Sequence, residues 1–173
     1  MERTGLLQLA GKDATIIGPD VVVGQPAPEF TSQAQDWSFV RPLAATQGKV
    51  RIIAAMPSLA TGTCDAETRR FNLEAASLSE DIVIIGITTD LPYVLKNWCE
   101  AAGVDKVMVV SDHYDTNFGE SYGTLVKERR ILRRAVFVVN KEGKVVYAAY
   151  MPALGDQPDY QEVLAAAKDA LRN

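Results

Sequence analysis

The stretch that decides the fold reads MPSLATGTCD and occupies residues 56–65. It joins an apolar run over 50–56, which is typical of a buried strand, to a helical pattern over about 64–78. Pro57 ends the strand because its nitrogen has no hydrogen to donate. Cys64 then falls in or beside the first helical turn, where free backbone N–H groups and the positive end of the helix dipole favour a thiolate.

Two interpretations of Cys64 compete. A free cysteine is often a buried, inert thiol, but such a residue belongs inside the strand or on the helical stripe of Phe71, not in a turn rich in Gly and Thr. The reactive interpretation is a low-pKa thiolate that acts as a nucleophile. Thr61, three residues earlier, can offer its hydroxyl to the sulfur or to the molecule it attacks. We therefore favour the reactive interpretation.

Bulk properties limit the class of protein. A chain of 173 residues can bury a full core, and no linker-like tract divides it, so we expect one domain over 1–173. The 22 acidic and 18 basic residues give a net charge of −4, which argues against nucleic-acid binding. Residues 1–5 lack the apolar core of a signal peptide, and no apolar run reaches membrane-spanning length. We expect a cytoplasmic protein.

Strands and helices alternate through the centre of the chain, which predicts an α/β fold with parallel strands and right-handed crossovers. Asp90 is the predicted N-cap of the second helix and Gly103 its stop. A hairpin formed by 4–9 and 14–17 begins the chain as an extension over 1–18. The other predicted strands are 37–40, 50–56, 82–87, 107–110, 135–139 and 144–150, and the predicted helical segments are 64–78, 91–102, 118–122 and 160–171.

Pro57, Thr61 and Cys64 reproduce the P-x-x-x-T-x-x-C pattern of the peroxiredoxins, and the string through Asp65 to Asn72 resembles the bacterial thiol peroxidases. Further matching segments are 24–30, 90–92, 96–99, 111–113, 122–123, 134–138 and 158–160. The resemblance covers nearly the whole chain. It implies a thioredoxin-like mixed sheet flanked by helices, with an N-terminal β-hairpin extension. Two positions depart from the family: Ala60 stands where Asp is common, and Thr63 where Val is common.

A cluster of arginines precedes the predicted strand 135–139. For Arg129, Arg130 and Arg133 we expect a solvated basic surface. Arg134 differs because it leads directly into the apolar strand. In a thioredoxin-like sheet this strand runs antiparallel to 50–56, so Arg134 would lie beside Cys64, support the thiolate and hydrogen-bond the peroxide. The resemblance assigns the same role to Arg134, and it implies that Pro57 shields the sulfur.

Cys99 lies on the second helix beside the apolar positions Leu91, Val94, Leu95 and Trp98. Its pattern is equally consistent with a packing role. The resemblance implies instead that Cys99 is the resolving cysteine, which attacks the sulfenic acid and forms an intramolecular disulfide. By the same resemblance, thioredoxin is the reductant and the enzyme is a homodimer.

The sequence gives little support for a bound metal or for a C-x-x-C redox motif. Two cysteines and one histidine, His113, do not make a zinc site, and the cysteines do not form C-x-x-C. We expect no metal and no organic cofactor. The sequence therefore predicts a thiol peroxidase acting on hydrogen peroxide or alkyl hydroperoxides. The alternative is a redox-sensing interaction protein, in which the same disulfide changes a binding surface.

Overall fold

The structure is a computed structural model that describes residues 1–173. Its strands are β1 (Glu2–Arg3), β2 (Gln8–Leu9), β3 (Lys12–Asp13), β4 (Ile16–Ile17), β5 (Ser32–Gln33), β6 (Phe39–Val40), β7 (Val50–Ala55), β8 (Ile82–Thr88), β9 (Met108–Ser111), β10 (Leu125–Val126), β11 (Ile131–Leu132), β12 (Ala135–Val139) and β13 (Val145–Tyr150). Its helices are α1 (Pro42–Ala45), α2 (Gly62–Ala75), α3 (Pro92–Ala102), α4 (Asn117–Ser121) and α5 (Tyr160–Arg172). None of these helices is long and apolar enough to cross a membrane.

The central sheet has seven strands in the order β13-β12-β7-β8-β9-β5-β6. β7 pairs with β8 and β8 with β9 in parallel, whereas β12 runs antiparallel to β7. The sheet is therefore mixed, as expected. Ala135 lies opposite Ala55 in this register, so the start of β12 meets the end of β7. That register brings the residue before β12 close to the turn after β7.

Two apolar cores cover the two faces of the sheet. Alternate residues of β7 divide between them: Ile52 and Ala54 face one core, and Ile53 and Ala55 the other. The first core receives α2, α3 and α5. α2 and α3 share one face because they join β7 to β8 and β8 to β9 by consecutive right-handed crossovers in one direction. The second core contains α4 and a cluster of aromatic side chains, Phe30, Phe118, Tyr122 and Phe137.

The N-terminal extension consists of an inner and an outer strand pair. β2 pairs with β3 around the turn at Gly11, and β1 pairs with β4 outside them. The predicted strands over 4–9 and 14–17 are therefore too long. β4 also pairs with β10. Asp20 binds both Arg3 and Arg133, and Arg133 is only 3% exposed. The prediction of a solvated Arg133 is therefore wrong: its guanidinium also lies over the Tyr150 ring.

The N-cap of α3 also differs from the prediction. Leu91 occupies the cap position and gives no side-chain cap, whereas Gly103 ends the helix in the left-handed conformation, as predicted. The carboxylate of Asp90 is instead occupied by the loop after β7 and by Thr88. The helix at 62–75 begins two residues before the predicted start and ends three before the predicted end. The strand predicted over 37–40 shrinks to β6.

Candidate active site

The turn between β7 and α2 presents Cys64 at the start of a helix. Thr61 has an extended backbone and is the N-cap of α2, and its Oγ1 accepts a hydrogen bond from the Cys64 backbone N–H at 3.1 Å. The Thr61 hydroxyl hydrogen remains available to donate, because this bond uses only the oxygen. Cys64 lies in the first helical turn, which confirms that part of the sequence prediction, and it is fully buried.

Arg134 lies beside the sulfur of Cys64. Its Nη2 donates to Cys64 Sγ at 3.1 Å, and its side chain is almost wholly buried. Nε and Nη2 also donate to the backbone oxygen of Leu154, at 3.2 and 3.0 Å, and Nη1 donates to Glu67. The guanidinium is thus held from three directions, in the place that the antiparallel strand predicts.

Glu67 was not identified from the sequence. It lies one helical turn after Cys64 on α2, where spacing of three residues puts two side chains on one face, and this spacing could have revealed it. Burial raises the pKa of the Glu67 carboxyl to about 7, although the Arg134 charge and hydrogen bond oppose the rise. Burial opposes the charge of Arg134, but Glu67 and Cys64 together raise the pKa of the guanidinium. Arg134 therefore stays a cation beside the sulfur.

A second carboxylate, that of Asp90, fixes the loop between β7 and α2. Asp90 Oδ1 accepts from Ser58 Oγ at 2.7 Å, and Asp90 Oδ2 accepts from the Leu59 backbone N–H at 2.8 Å. Pro57 is buried at the start of this loop. A cleft of about 410 Å³ opens beside it. Its lining comprises Pro57, Ser58, Thr61, Thr63, Arg129, Ile131, Leu154 and Gly155.

Cys99 has quite different surroundings. It is 5% exposed on α3, and burial raises the pKa of its thiol to about 11, with a hydrogen bond from Gln35 acting in the opposite direction. Gln35 Nε2 donates to Cys99 Sγ at 3.6 Å. Both cysteines are free thiols. On the same helix Leu95 is buried, whereas Leu91 and Val94 are exposed, so the apolar stripe is narrower than its sequence indicates.

α3 is connected to the start of α2 through Trp98. The indole Nε1 donates to Asp65 Oδ1 at 3.0 Å, and the guanidinium of Arg69 lies 5.4 Å from the centre of the indole ring. Arg69 also forms an ion pair with Asp65 at 2.8 Å. The residue next to Cys99 is thereby linked to the residue next to Cys64.

The mixed sheet defines a thioredoxin-fold protein, in which a buried thiol lies between a helix N-terminus and a buried arginine. A family model described as Redoxin matches residues 22–164. Thiol peroxidases of Bacillus subtilis and Halalkalibacterium halodurans are 46% and 44% identical to this chain. The matches cover 91% of this chain and 93% of the Bacillus protein, and 93% of this chain and 96% of the Halalkalibacterium protein.

Solved structures agree with the sequence relatives. A peroxiredoxin-like protein from Aquifex aeolicus superposes with a TM-score of 0.85 at 34% identity, and 97% of each chain is covered. A thiol peroxidase from Chromobacterium violaceum has a TM-score of 0.83 at 16% identity, covering 96% of this chain and 97% of that one, which shows the shared fold. The chain belongs to the thiol peroxidase family of peroxiredoxins. Its activity is the thiol-dependent reduction of peroxides.

Proposed function

We propose that Cys64 is the peroxidatic nucleophile and Cys99 the resolving thiol of a peroxidase that reduces hydrogen peroxide and alkyl hydroperoxides. The observation that carries the proposal is the 3.1 Å contact between Arg134 Nη2 and Cys64 Sγ at the first turn of α2. A cation and helix N–H groups together favour a thiolate, which is the form of cysteine that attacks a peroxide.

In the first step the Cys64 thiolate attacks the terminal oxygen of the hydroperoxide. The O–O bond breaks, the sulfur is oxidised to a sulfenic acid, and the departing oxygen takes a proton to leave as water or an alcohol. Arg134 and the Thr61 hydroxyl are the donors within reach that stabilise the negative charge on that oxygen. Pro57, buried at the start of the loop, shields the sulfur from water.

In the second step the Cys99 thiolate attacks the sulfenic sulfur of Cys64. A disulfide forms and the hydroxyl leaves with a proton as water. A thiol whose pKa is about 11 supplies little thiolate at neutral pH, so this step is favoured when Cys99 leaves its buried position. Thioredoxin is the proposed reductant of the disulfide. The need for a reducing compartment favours the cytoplasm.

The proposed assembly is a homodimer. Support comes from an aromatic cluster near the β6 edge of the sheet, in which half-buried Trp37 contacts exposed Tyr93 and exposed Phe39 contacts exposed Tyr114, with ring centroids 4.8 and 5.2 Å apart. Exposed aromatic surface of this kind marks association sites. Sedimentation of the wild type and of Tyr93→Glu tests it, because a charge in the cluster should shift the protein to monomer if a second copy covers this surface.

Peroxide consumption with thioredoxin, thioredoxin reductase and NADPH tests the catalytic proposal. We expect many turnovers per enzyme, and peptide mapping without reductant should show Cys64 joined to Cys99 within one chain. A redox sensor whose disulfide thioredoxin does not reduce would consume a single equivalent and stop. Disulfides found only between chains, or Cys64 oxidised with Cys99 free, would reject the resolving role of Cys99.

A further inference from the structure

The turn that joins β10 to β11 is Lys127-Glu128-Arg129-Arg130, four charged residues in succession. Arg129 is exposed, and it alone among the four makes no side-chain hydrogen bond or ion pair. The side chains of the other three contact, in order, the carboxylate of Glu2, the backbone N–H of Thr15 and the hydroxyl of Thr116. The guanidinium of Arg129 is therefore available to a ligand.

Arg129 also lines the cleft beside the loop between β7 and α2. The cleft is about 410 Å³, within the range of small-molecule sites. Ile131 and Leu154 give it apolar walls, and Arg129 is its only charged residue. Arg130, the next residue, has a φ of 53°, which non-glycine residues rarely adopt, so the course of the turn beside Arg129 is tightly specified. A cation at one side of an apolar cleft fits a molecule with an apolar body and one negative charge.

We infer that Arg129 selects organic hydroperoxides that carry a carboxylate, binding the carboxylate while the apolar chain lies against Ile131 and Leu154. The inference rests on the proposed role of Cys64. A guanidinium presents paired N–H donors that match a carboxylate. The carboxylate takes no part in the bond changes: the thiolate takes the terminal peroxide oxygen, the O–O bond breaks, and the alkoxide collects a proton. Arg129 should therefore lower KM for the carboxylate substrates and leave kcat unchanged.

A matched pair of substrates tests this inference: ω-hydroperoxynonanoate and its methyl ester, with hydrogen peroxide as reference. For the wild type we expect kcat/KM to be roughly three- to fivefold higher for the acid, as fits one partly exposed ion pair. The preference should lie in KM. It should weaken as salt rises from about 0.02 M to about 0.3 M, because the screening length falls from roughly 20 Å to roughly 6 Å.

Variants assign the preference to Arg129. Arg129→Gln should bring the acid-to-ester ratio to about one, and Arg129→Lys should restore part of it. Lys127→Gln is the matched control, since Lys127 lies in the same turn but is paired with Glu2 and does not line the cleft. An acid no faster than its ester, or an Arg129→Gln ratio equal to that of the wild type, would overturn the inference. Cys64→Ser separates the two proposals: activity surviving in that variant defeats the role of Cys64 itself.

Discussion

The two cysteines share one apolar core but have opposite chemical surroundings. The sulfur of Cys64 is beside a cation that is itself held by a carboxylate and a backbone carbonyl. The sulfur of Cys99 has a single polar contact, the 3.6 Å hydrogen bond from Gln35, and burial keeps its thiol protonated. In the proposed mechanism the first thiol reacts where it stands, whereas the second moves before it reacts.

Replacing each sulfur by oxygen should separate the two roles most strongly. Cys64→Ser should lower peroxide reduction at least about a thousandfold, because the serine hydroxyl is not ionised at neutral pH. Cys99→Ser should still react once with peroxide at the wild-type rate and then stop as a sulfenic acid. Rapid mixing with mass spectrometry follows both. With excess peroxide, the stalled Cys99→Ser sulfur should pass to sulfinic acid. Equal single-turnover rates for Cys64→Ser and the wild type would show that Cys64 is not the residue that reacts with peroxide.

We expect Arg134 to account for most of the chemical difference between the two sites. Arg134→Ala should slow the peroxide step roughly a hundredfold, as loss of one preorganised donor does elsewhere. Formation of the Cys99 disulfide from a preformed sulfenic acid should change far less. Stopped-flow measurement of each step at several pH values checks both statements. Unchanged peroxide kinetics in Arg134→Ala would show that Arg134 only packs.

A control is needed because Arg134→Ala leaves Glu67 buried without a partner. Breaking a buried ion pair costs about 3–5 kcal/mol of stability, so the loss of activity could follow from unfolding. The double variant Arg134→Ala, Glu67→Gln removes that charge. We expect it to be more stable than Arg134→Ala alone while remaining as slow with peroxide. Recovery of the rate in the double variant would assign the defect to folding.

Glu67 should also make the stability of the folded protein depend on pH. The pKa of its carboxyl is raised in the folded protein from 4.5 to about 7, so the folded state holds the proton more tightly than the unfolded state does. The resulting stabilisation is complete below about pH 4.5 and is lost as pH rises through about 7, up to about 3 kcal/mol. Glu67→Gln should lose less stability over this window. Urea unfolding of the reduced protein from pH 4.5 to 8 measures the difference.

Asp112 provides the matched control. Burial also raises the pKa of this carboxyl to about 7, but Asp112 lies at α4 and accepts from Phe118 and Gly119, not from the catalytic residues. Asp112→Asn should remove its own share of the pH dependence and leave peroxide kinetics intact. If Glu67→Gln and the wild type lose equal stability between pH 4.5 and 8, the carboxyl of Glu67 does not titrate in this range.

The sequence predicts the Cys64 side of this comparison better than the Cys99 side. A strand, a proline, a turn and a helix follow one another locally, so the position of Cys64 follows from residues 50–64. Predicting that Arg134 lies beside Cys64 required one further fact, that β12 runs antiparallel to β7. The three-residue spacing puts Glu67 on the same helix face as Cys64, but its burial could not be predicted, because it depends on Arg134, far away in sequence. Strands of two residues, such as β10, are too short to show the alternation of apolar and polar residues that identifies a strand.

The surroundings of Cys99 could not be predicted from the sequence, for a different reason. Whether Leu91 and Val94 face the core depends on how α3 lies on the sheet, and a hydrophobic stripe does not specify that. Asp90 was predicted to cap α3, yet the loop at Ser58 competes for the same carboxylate and holds it. The contact from Gln35 joins residues 64 positions apart, with no pattern to indicate it.

The last prediction concerns how Cys99 reaches Cys64. Arg134 leads into β12, and Gln35 follows β5 at four strand positions from β12 in the sheet. At about 4.8 Å per strand, the backbones that carry Arg134 and Gln35 are roughly 19 Å apart, so each sulfur is held from a different part of the sheet, and both cysteines are free thiols. A disulfide needs Cα atoms within about 7 Å, so we predict that α3 opens before the bond forms.

The side-chain hydrogen bonds of α3 indicate how readily it opens. They are two, from Trp98 to Asp65 and from Gln35 to Cys99. Trp98→Phe keeps the packing but removes the indole donor, so disulfide formation should become roughly two- to tenfold faster, the kinetic equivalent of one net hydrogen bond. Asp65→Asn, which keeps an acceptor for Trp98, should stay near the wild type. Amide exchange should rise across 92–102 on oxidation while β7 stays protected, and Trp98 fluorescence should change. Unchanged exchange in α3 together with a mapped Cys64–Cys99 disulfide would show that the cysteines meet without opening.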